Sequence, residues 1–324
     1  MKGIQVFDRP ASQSFYAVAG RLLFIESSDR HLAALIERLF AGWQLTAVSS
    51  PDRNPDVKLS FSTAGTLPEV PLGLTEFEVA EGGRCCTARD EFYLRFDNSW
   101  LRLEAGSPVS VSVITAGPSD AELARVTSFA ICSGLRRFGV FELHSAGVVM
   151  PDSDDAVLIV GPPGSGKSTL TLQLANAGWG YLSDDEVLLS VVGKEVEARG
   201  FRSFFALAPA VAAAGAGAGR LKPRFEPTNV FAAPPISSAA PRFVLFTSIS
   251  GNDETCLTEL TQAETMTRLL RACPWATYDT AVAGPHLQLL SRLARQAKGF
   301  ELRAGTDILG PEQASRIILA ACHA

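Results

Sequence analysis

Gly161 to Ser168 read GPPGSGKS and fit the pattern G-x-x-x-x-G-K-[ST] at every constrained position. The three glycines, Gly161, Gly164 and Gly166, let the backbone turn its N–H groups toward a phosphate chain. A helix beginning near Lys167 would aim the positive end of its dipole at the same point. Lys167 would then reach the β- and γ-phosphates of ATP, and the Ser168 hydroxyl would ligate Mg²⁺. Ser165 and Thr169, within and just after the motif, belong to the same nucleotide-binding stretch.

An acidic pair, Asp184-Asp185, follows after very little chain. Trp179 to Ser183 read as a short strand between the loop's helix and these carboxylates, so the next strand returns at once beside the phosphate site. Side chains alternate faces along a strand, so only one of the two carboxylates points squarely at a γ-phosphate. The other would hold Mg²⁺ through water or orient its neighbour.

These residues need elements to hold them. Val157 to Val160 are an apolar run ending in glycine, the pattern of a buried strand entering a tight turn. Leu170, Leu174 and Ala177 recur at helical spacing before Gly178, a C-cap signal. Strand, glycine loop and helix are the context that the phosphate motif requires.

Leu143-His144-Ser145-Ala146-Gly147-Val148-Val149, then GPPGSGKST, then LSDDEV resemble, in this order and at these intervals, the catalytic domain of the HPr serine kinase/phosphorylase family. That family shares its P-loop core with ATP-dependent phosphoenolpyruvate carboxykinases. The resemblance spans Leu143 to Val187. It implies an α/β fold with an HPr-kinase-like core, Lys167 on the phosphates and Ser168 on Mg²⁺. It further implies Asp185 as the base for a seryl hydroxyl, with His144 as an auxiliary catalytic residue; Asp184 is then left for the metal. Two positions depart from the family. Thr169 stands where the family has Glu, and Glu197-Ala198-Arg199-Gly200, similar to its E-I-R-G segment, follows the acidic pair too closely, so Glu197 is left out of the site.

The resemblance implies a kinase moving the γ-phosphate of ATP to a hydroxyl, most naturally a serine of a small protein or peptide. A small-molecule acceptor is one alternative. Another is a regulatory or scaffold protein that binds nucleotide without transferring phosphate.

The chain has 324 residues, 47% hydrophobic and 19% charged, with a formal net charge of −5. No basic block favours nucleic acid or an anionic membrane surface. The start lacks the pattern of a signal peptide and no apolar run is long enough to span a bilayer, so a cytoplasmic protein is expected. The six cysteines show no metal-ligand spacing and are expected as core residues or idle thiols.

From the N-terminus, Ala17 to Ile25 read as a strand. Leu32, Leu35, Ile36, Leu39 and Phe40 form an amphipathic helix stripe. Val57 to Phe61, Phe77 to Ala80, Phe92 to Phe96, Trp100 to Leu103 and Val109 to Ile114 read as short strands, with a hairpin turn at Asp97-Asn98. This predicts a β-rich N-terminal domain over 1–117, suited to packing, homo-oligomer contacts or substrate docking. The catalytic domain would cover 118–324 and begin with a helix capped by Ser119 or Asp120. Phe138 to Met150 read as one strand carrying His144. Pro209 to Arg224, rich in Ala and Gly and ending in Arg220, Lys222 and Arg224, is expected to be mobile in the empty protein; its cations either approach the phosphoryl group or form a solvated basic patch.

Overall fold

Ala19 and Gly20 turn the first apolar stretch back on itself. In the computed structural model, which describes residues 10–79, 82–88, 91–206, 224–231 and 233–323, β1 (Ser12–Val18) and β2 (Arg21–Ser27) are an antiparallel hairpin. The two linking residues have φ of 48° and 73°, the positive values that a two-residue hairpin turn matching strand twist needs. The single strand expected over 17–25 is therefore two.

The first unit continues with α1 (Arg30–Phe40), β3 (Thr46–Ala47), β4 (Val57–Thr63), β5 (Thr75–Val79), β6 (Gly83–Ala88), β7 (Glu91–Arg95), β8 (Ser99–Glu104), β9 (Val109–Thr115) and α2 (Asp120–Arg136). Among the described residues its strands form one nine-stranded sheet, β3-β1-β2-β4-β9-β8-β7-β6-β5. β4 pairs in parallel with both β2 and β9, so α1 is the crossover that such a parallel connection requires. Asp29 caps α1 by accepting from the Leu32 N–H at 2.7 Å, and Leu32, Ala33, Ile36 and Phe40 are its buried stripe. The turn expected at Asp97-Asn98 is present, closed from Phe96 N to Ser99 O at 2.8 Å. The buried Glu122 of α2 accepts from the Asn98 N–H at 2.9 Å and anchors that turn.

Ser119 caps α2 as expected, its hydroxyl accepting from the Glu122 N–H at 3.2 Å. The helix packs on β4, β8 and β9, so closely that a Cβ on Gly134 would stand 2.7 Å from Val57 Cγ1. Trp275–His286 also belong to this unit. There Asp279 accepts from half-buried Arg137 at 2.9 Å, and the Arg136 guanidinium lies 4.6 Å from the Trp275 ring centre. The first unit thus holds Met1–Phe141 with Trp275–His286, and the second holds Glu142–Pro274 with Leu287–Ala324. The division expected at 117/118 falls after Phe141 because α2 is packed on the first sheet.

The second half of the chain adds β10 (Phe141–Leu143), β11 (Ser145–Val149), β12 (Asp155–Val160), α3 (Lys167–Asn176), β13 (Gly180–Ser183), β14 (Val187–Val192), β15 (Glu195–Gly200), β16 (Phe205–Ala206) and β17 (Arg224–Phe225). Then come α4 (Pro227–Val230), β18 (Ser238–Ile249), β19 (Cys256–Leu260), α5 (Gln262–Ala272), α6 (Trp275–Tyr278), α7 (Ala283–Gln296), β20 (Lys298–Ala304) and α8 (Pro311–His323). Among the described residues the large sheet runs β10-β14-β15-β18-β12-β11-β13, with β20 beside β18 and β19 beside β20. The fold is mixed α/β with large β-sheets. β12 is interior, antiparallel to β11 and parallel to β18. Its continuous apolar run follows from burial on both faces. Val157 and Ile159 share a core with Leu170 and Leu174 of α3 and Ile318 of α8.

Local signals hold the surrounding elements. Gly178, just past α3, has φ 92°, the left-handed turn that ends the helix as expected. Thr261 and Glu264 form a reciprocal capping box at the start of α5. Gln296, at the end of α7, bonds both N and O of Val196 at 2.7 and 2.8 Å, tying the helix to β15. Five of the six cysteines are buried and Cys256 is exposed, in line with core thiols. No helix among the described residues is long and apolar enough to cross a membrane. Most of the mobile arm expected over Pro209–Arg224, including Arg220 and Lys222, lies outside the described residues, while Arg224 opens β17.

Candidate functional site

Gly161 leaves β12 in contact with β18. A Cβ there would stand 2.8 Å from both the carbonyl and the hydroxyl oxygen of Thr247, and would also meet Ser165 Oγ. Only glycine brings the loop this close. Ser165 and Thr247 share a hydroxyl hydrogen bond at 3.1 Å, and Thr247 donates to Val160 O at 3.4 Å, so the loop is braced on β18. Gly164 and Gly166 have φ of 81° and 93°, backbone that side-chain-bearing residues adopt only at a cost. Gly166 is the N-cap of α3 and offers no side-chain acceptor, which leaves the first-turn N–H groups to an anion or water. This glycine cradle fits a phosphate chain. Lys167 is buried, its Nζ donating to Gly161 O at 2.7 Å and Pro162 O at 3.3 Å. Ser168 and Thr169, half-buried, follow on the same turn.

Strand register brings the acids to the same end. Ser145 pairs with Val160 and Gly147 with Ser183, so the start of β11 and the ends of β12 and β13 lie together. His144 therefore sits at the break between β10 and β11 rather than inside the single strand expected over 138–150. In the turn that follows β13, Asp184 is buried and Asp185 exposed. His144 Nδ1 lies 3.4 Å from Asp185 Oδ1, with the two side chains 46% and 56% exposed. Desolvation holds the His144 pKa below its ordinary value; the Asp185 carboxylate opposes that shift, and the charges of Lys167 and Arg202 reinforce it. A neutral His144 imidazole is the state this environment favours.

Two residues that carry no motif signal complete the cluster. Glu186 is paired with Arg202 through Nε at 3.2 Å and Nη2 at 3.0 Å. Its carboxyl is pushed above the usual range by desolvation, with Arg202 pulling the other way and the charges of Glu142 and Asp185 adding to the rise. The Glu186 carbonyl accepts from the Ser183 hydroxyl at 2.7 Å and from the Phe201 N–H at 3.1 Å. The turn carrying both aspartates is thus pinned on backbone and side chain alike. Thr247, Glu186 and Arg202 were not legible as site residues: each acts through strand pairing or a contact distant in sequence. The position of Glu186 directly after the acidic pair was the one available hint. Glu197, on β15, accepts from Arg199 at 2.9 Å.

Among the described residues no three His, Cys, Asp or Glu side chains form a metal site by themselves. Ser168 and Asp184 could offer Mg²⁺ a hydroxyl and a carboxylate oxygen, hard donors of the kind it takes alongside phosphate oxygens and water.

No family model matches the chain, and no curated protein matches it. Among solved structures, the Hpr(Ser) kinase/phosphatase from Coxiella burnetii is similar over 56% of this chain and 95% of its own, at 13% identity and a TM-score of 0.31.

Proposed function

We propose that the chain is an ATP-dependent kinase that transfers the γ-phosphate to a hydroxyl group, most naturally a serine of a small protein or peptide. One observation carries this reading: the glycine loop with Lys167, the Asp184-Asp185 turn and His144 all lie at one end of three adjacent strands. The loop N–H groups and Lys167 would bind and neutralise the phosphate oxygens, while Ser168 and Asp184 would hold Mg²⁺. Mg²⁺, when bound, supplies further positive charge to those oxygens.

Asp185 is the exposed member of the pair and faces incoming acceptor. It would orient the hydroxyl and take its proton as the new O–P bond forms and the bond between the γ-phosphorus and the bridging oxygen to the β-phosphate breaks, releasing ADP. His144, 3.4 Å away, would position the Asp185 carboxylate. Glu186 and Arg202 would hold the turn in place.

Calorimetry with Mg-ATP and transfer of labelled phosphate to serine-containing acceptors test this reading. Lys167→Ala is expected to remove nucleotide binding without unfolding the protein. Asp185→Asn is expected to keep nucleotide binding and lose transfer. Unchanged Mg-ATP affinity in Lys167→Ala would refute the phosphate site.

A further inference from the structure

β12 has two flanks in its sheet, and the acids and His144 come from one of them. His144 precedes β11, and the aspartates follow β13, which lies beyond β11. On the other flank the parallel strands β18 and β20 run toward the same end as β12, with Val160 paired to Phe246 and Phe246 to Glu301. The chemistry there is different. Ile249, the last residue of β18, is 65% exposed. A Cβ on Gly166 would stand 3.9 Å from its Cγ1, so this apolar side chain borders the N-terminal turn of α3.

Beyond Ile249, residues 250–255 and 305–307 close on each other as a double loop. Thr306 N donates to Asn252 O and Asp307 N to Asp253 O, both at 3.1 Å, and Gly305 N donates to Thr255 Oγ1 at 2.9 Å. The Ser250 hydroxyl donates to Ala304 O at 3.0 Å. The loops interlock so tightly that a Cβ on Gly305 would stand 2.7 Å from the carbonyl oxygens of Asp253 and Glu254.

We propose that a nucleotide lies across the end of β12 with its phosphate chain toward β11 and β13 and its nucleoside toward β18 and β20, the base resting on Ile249 beside the double loop. The inference rests on the phosphate-site reading above. Ligands of open α/β sheets bind outside the carboxyl ends of the strands; in the reading above Asp184 would hold the Mg²⁺ that bridges to the phosphate oxygens and Asp185 would act beside the γ-phosphate, so the γ-phosphate lies on that flank and the nucleoside runs the other way. The flat apolar face of a base covers the exposed isoleucine, and a preformed loop meets it with little ordering cost.

Calorimetry of the full chain with Mg-ATP and with magnesium tripolyphosphate separates the two halves of the ligand. The wild type is expected to prefer ATP. Ile249→Ala is expected to lose about tenfold in ATP affinity, from the apolar contact removed, with tripolyphosphate binding unchanged; Ile249→Asp is expected to lose more. The residue is exposed, so matching thermal midpoints would verify that both variants fold. Equal losses for both ligands, or ATP affinity unmoved in both variants, would overturn the base subsite. If the wild type bound neither ligand, or Lys167→Ala still bound both, the phosphate-site reading would fall and this inference with it.

Discussion

Gly161→Ala tests the fit between the glycine loop and β18. Gly161 does not have the left-handed backbone of Gly164 and Gly166, so alanine is conformationally admissible and only space opposes it. The added Cβ would stand 2.8 Å from Thr247 O and Oγ1, where ordinary contacts begin at 3.4 Å. Overpacking of this kind costs about 1–3 kcal/mol. If binding requires the undistorted loop, that cost lowers nucleotide affinity by roughly five- to 150-fold. Removing the hydroxyl with a second change, Thr247→Ala, gives only partial rescue, because the Thr247 carbonyl and the Ser165 hydroxyl still block the same space.

Gly164→Ala is the contrasting variant. Nothing lies within 4 Å of its Cβ, yet its φ is 81°, so the penalty is torsional, about 1–2 kcal/mol. Calorimetry with Mg-ADP and thermal unfolding of each variant measure the two effects separately. Gly161→Ala binding within twofold of wild type would refute the argument that close approach to β18 sets the loop's shape. Complete rescue by Thr247→Ala would show instead that the hydroxyl alone is the obstacle.

Asp184→Asn is expected to raise the Mg²⁺ concentration needed for tight nucleotide binding, measured by titrating Mg²⁺ at fixed ADP, whereas Asp185→Asn leaves that requirement in place; the opposite pattern would exchange their assigned roles. Asp279→Ala leaves Arg137, whose side chain is 9% exposed, without its carboxylate, and is expected to cost about 3–5 kcal/mol in urea unfolding; a loss under about 1 kcal/mol would show that the pair does not behave as a buried charge pair. Burial pushes the Cys85 thiol up to about 12 from 9.0. The folded protein holds this proton more tightly than the unfolded chain, so its contribution is complete below about pH 9. Stability then falls by roughly 1.4 kcal/mol per pH unit as pH rises from there toward 12. Denaturant midpoints of wild type and Cys85→Ala between pH 8 and 10.5 test this, and parallel curves would contradict it.

The parts of the site that lie on one continuous stretch were readable, because motif, strand run and helix stripe all fall between Val157 and Ser183 and depend on local spacing. Three helices of the second half are legible for the same reason: the sequence reads as helix over Ala263 to Ala272, Pro285 to Ala297 and Pro311 to Ala321, and α5, α7 and α8 fall within two residues of those bounds. β19 and β6 are among the strands that escaped notice. In β19 the side chains at Cys256, Thr258 and Glu259 are exposed, which leaves no alternating apolar face, and β6, paired between β5 and β7, begins at a glycine. The hairpin of β1 and β2 was missed because Ala19-Gly20 lacks the Asn-Gly or Asp-Gly signature.

The rest of the site depends on sheet order, which no local window carries. Thr247 reaches Gly161 only because β18 pairs in parallel with β12 in the observed register, and Arg202 reaches Glu186 only because β14 folds back on β15. Each of these side chains would read as an unremarkable polar residue in any local stretch of sequence. The glycine motif specifies the turns of the loop; the neighbouring strands determine how tightly it is held and which side chains stand on each flank. A variant that alters binding from β18, far from the motif in sequence, therefore reports on the topology itself rather than on the loop.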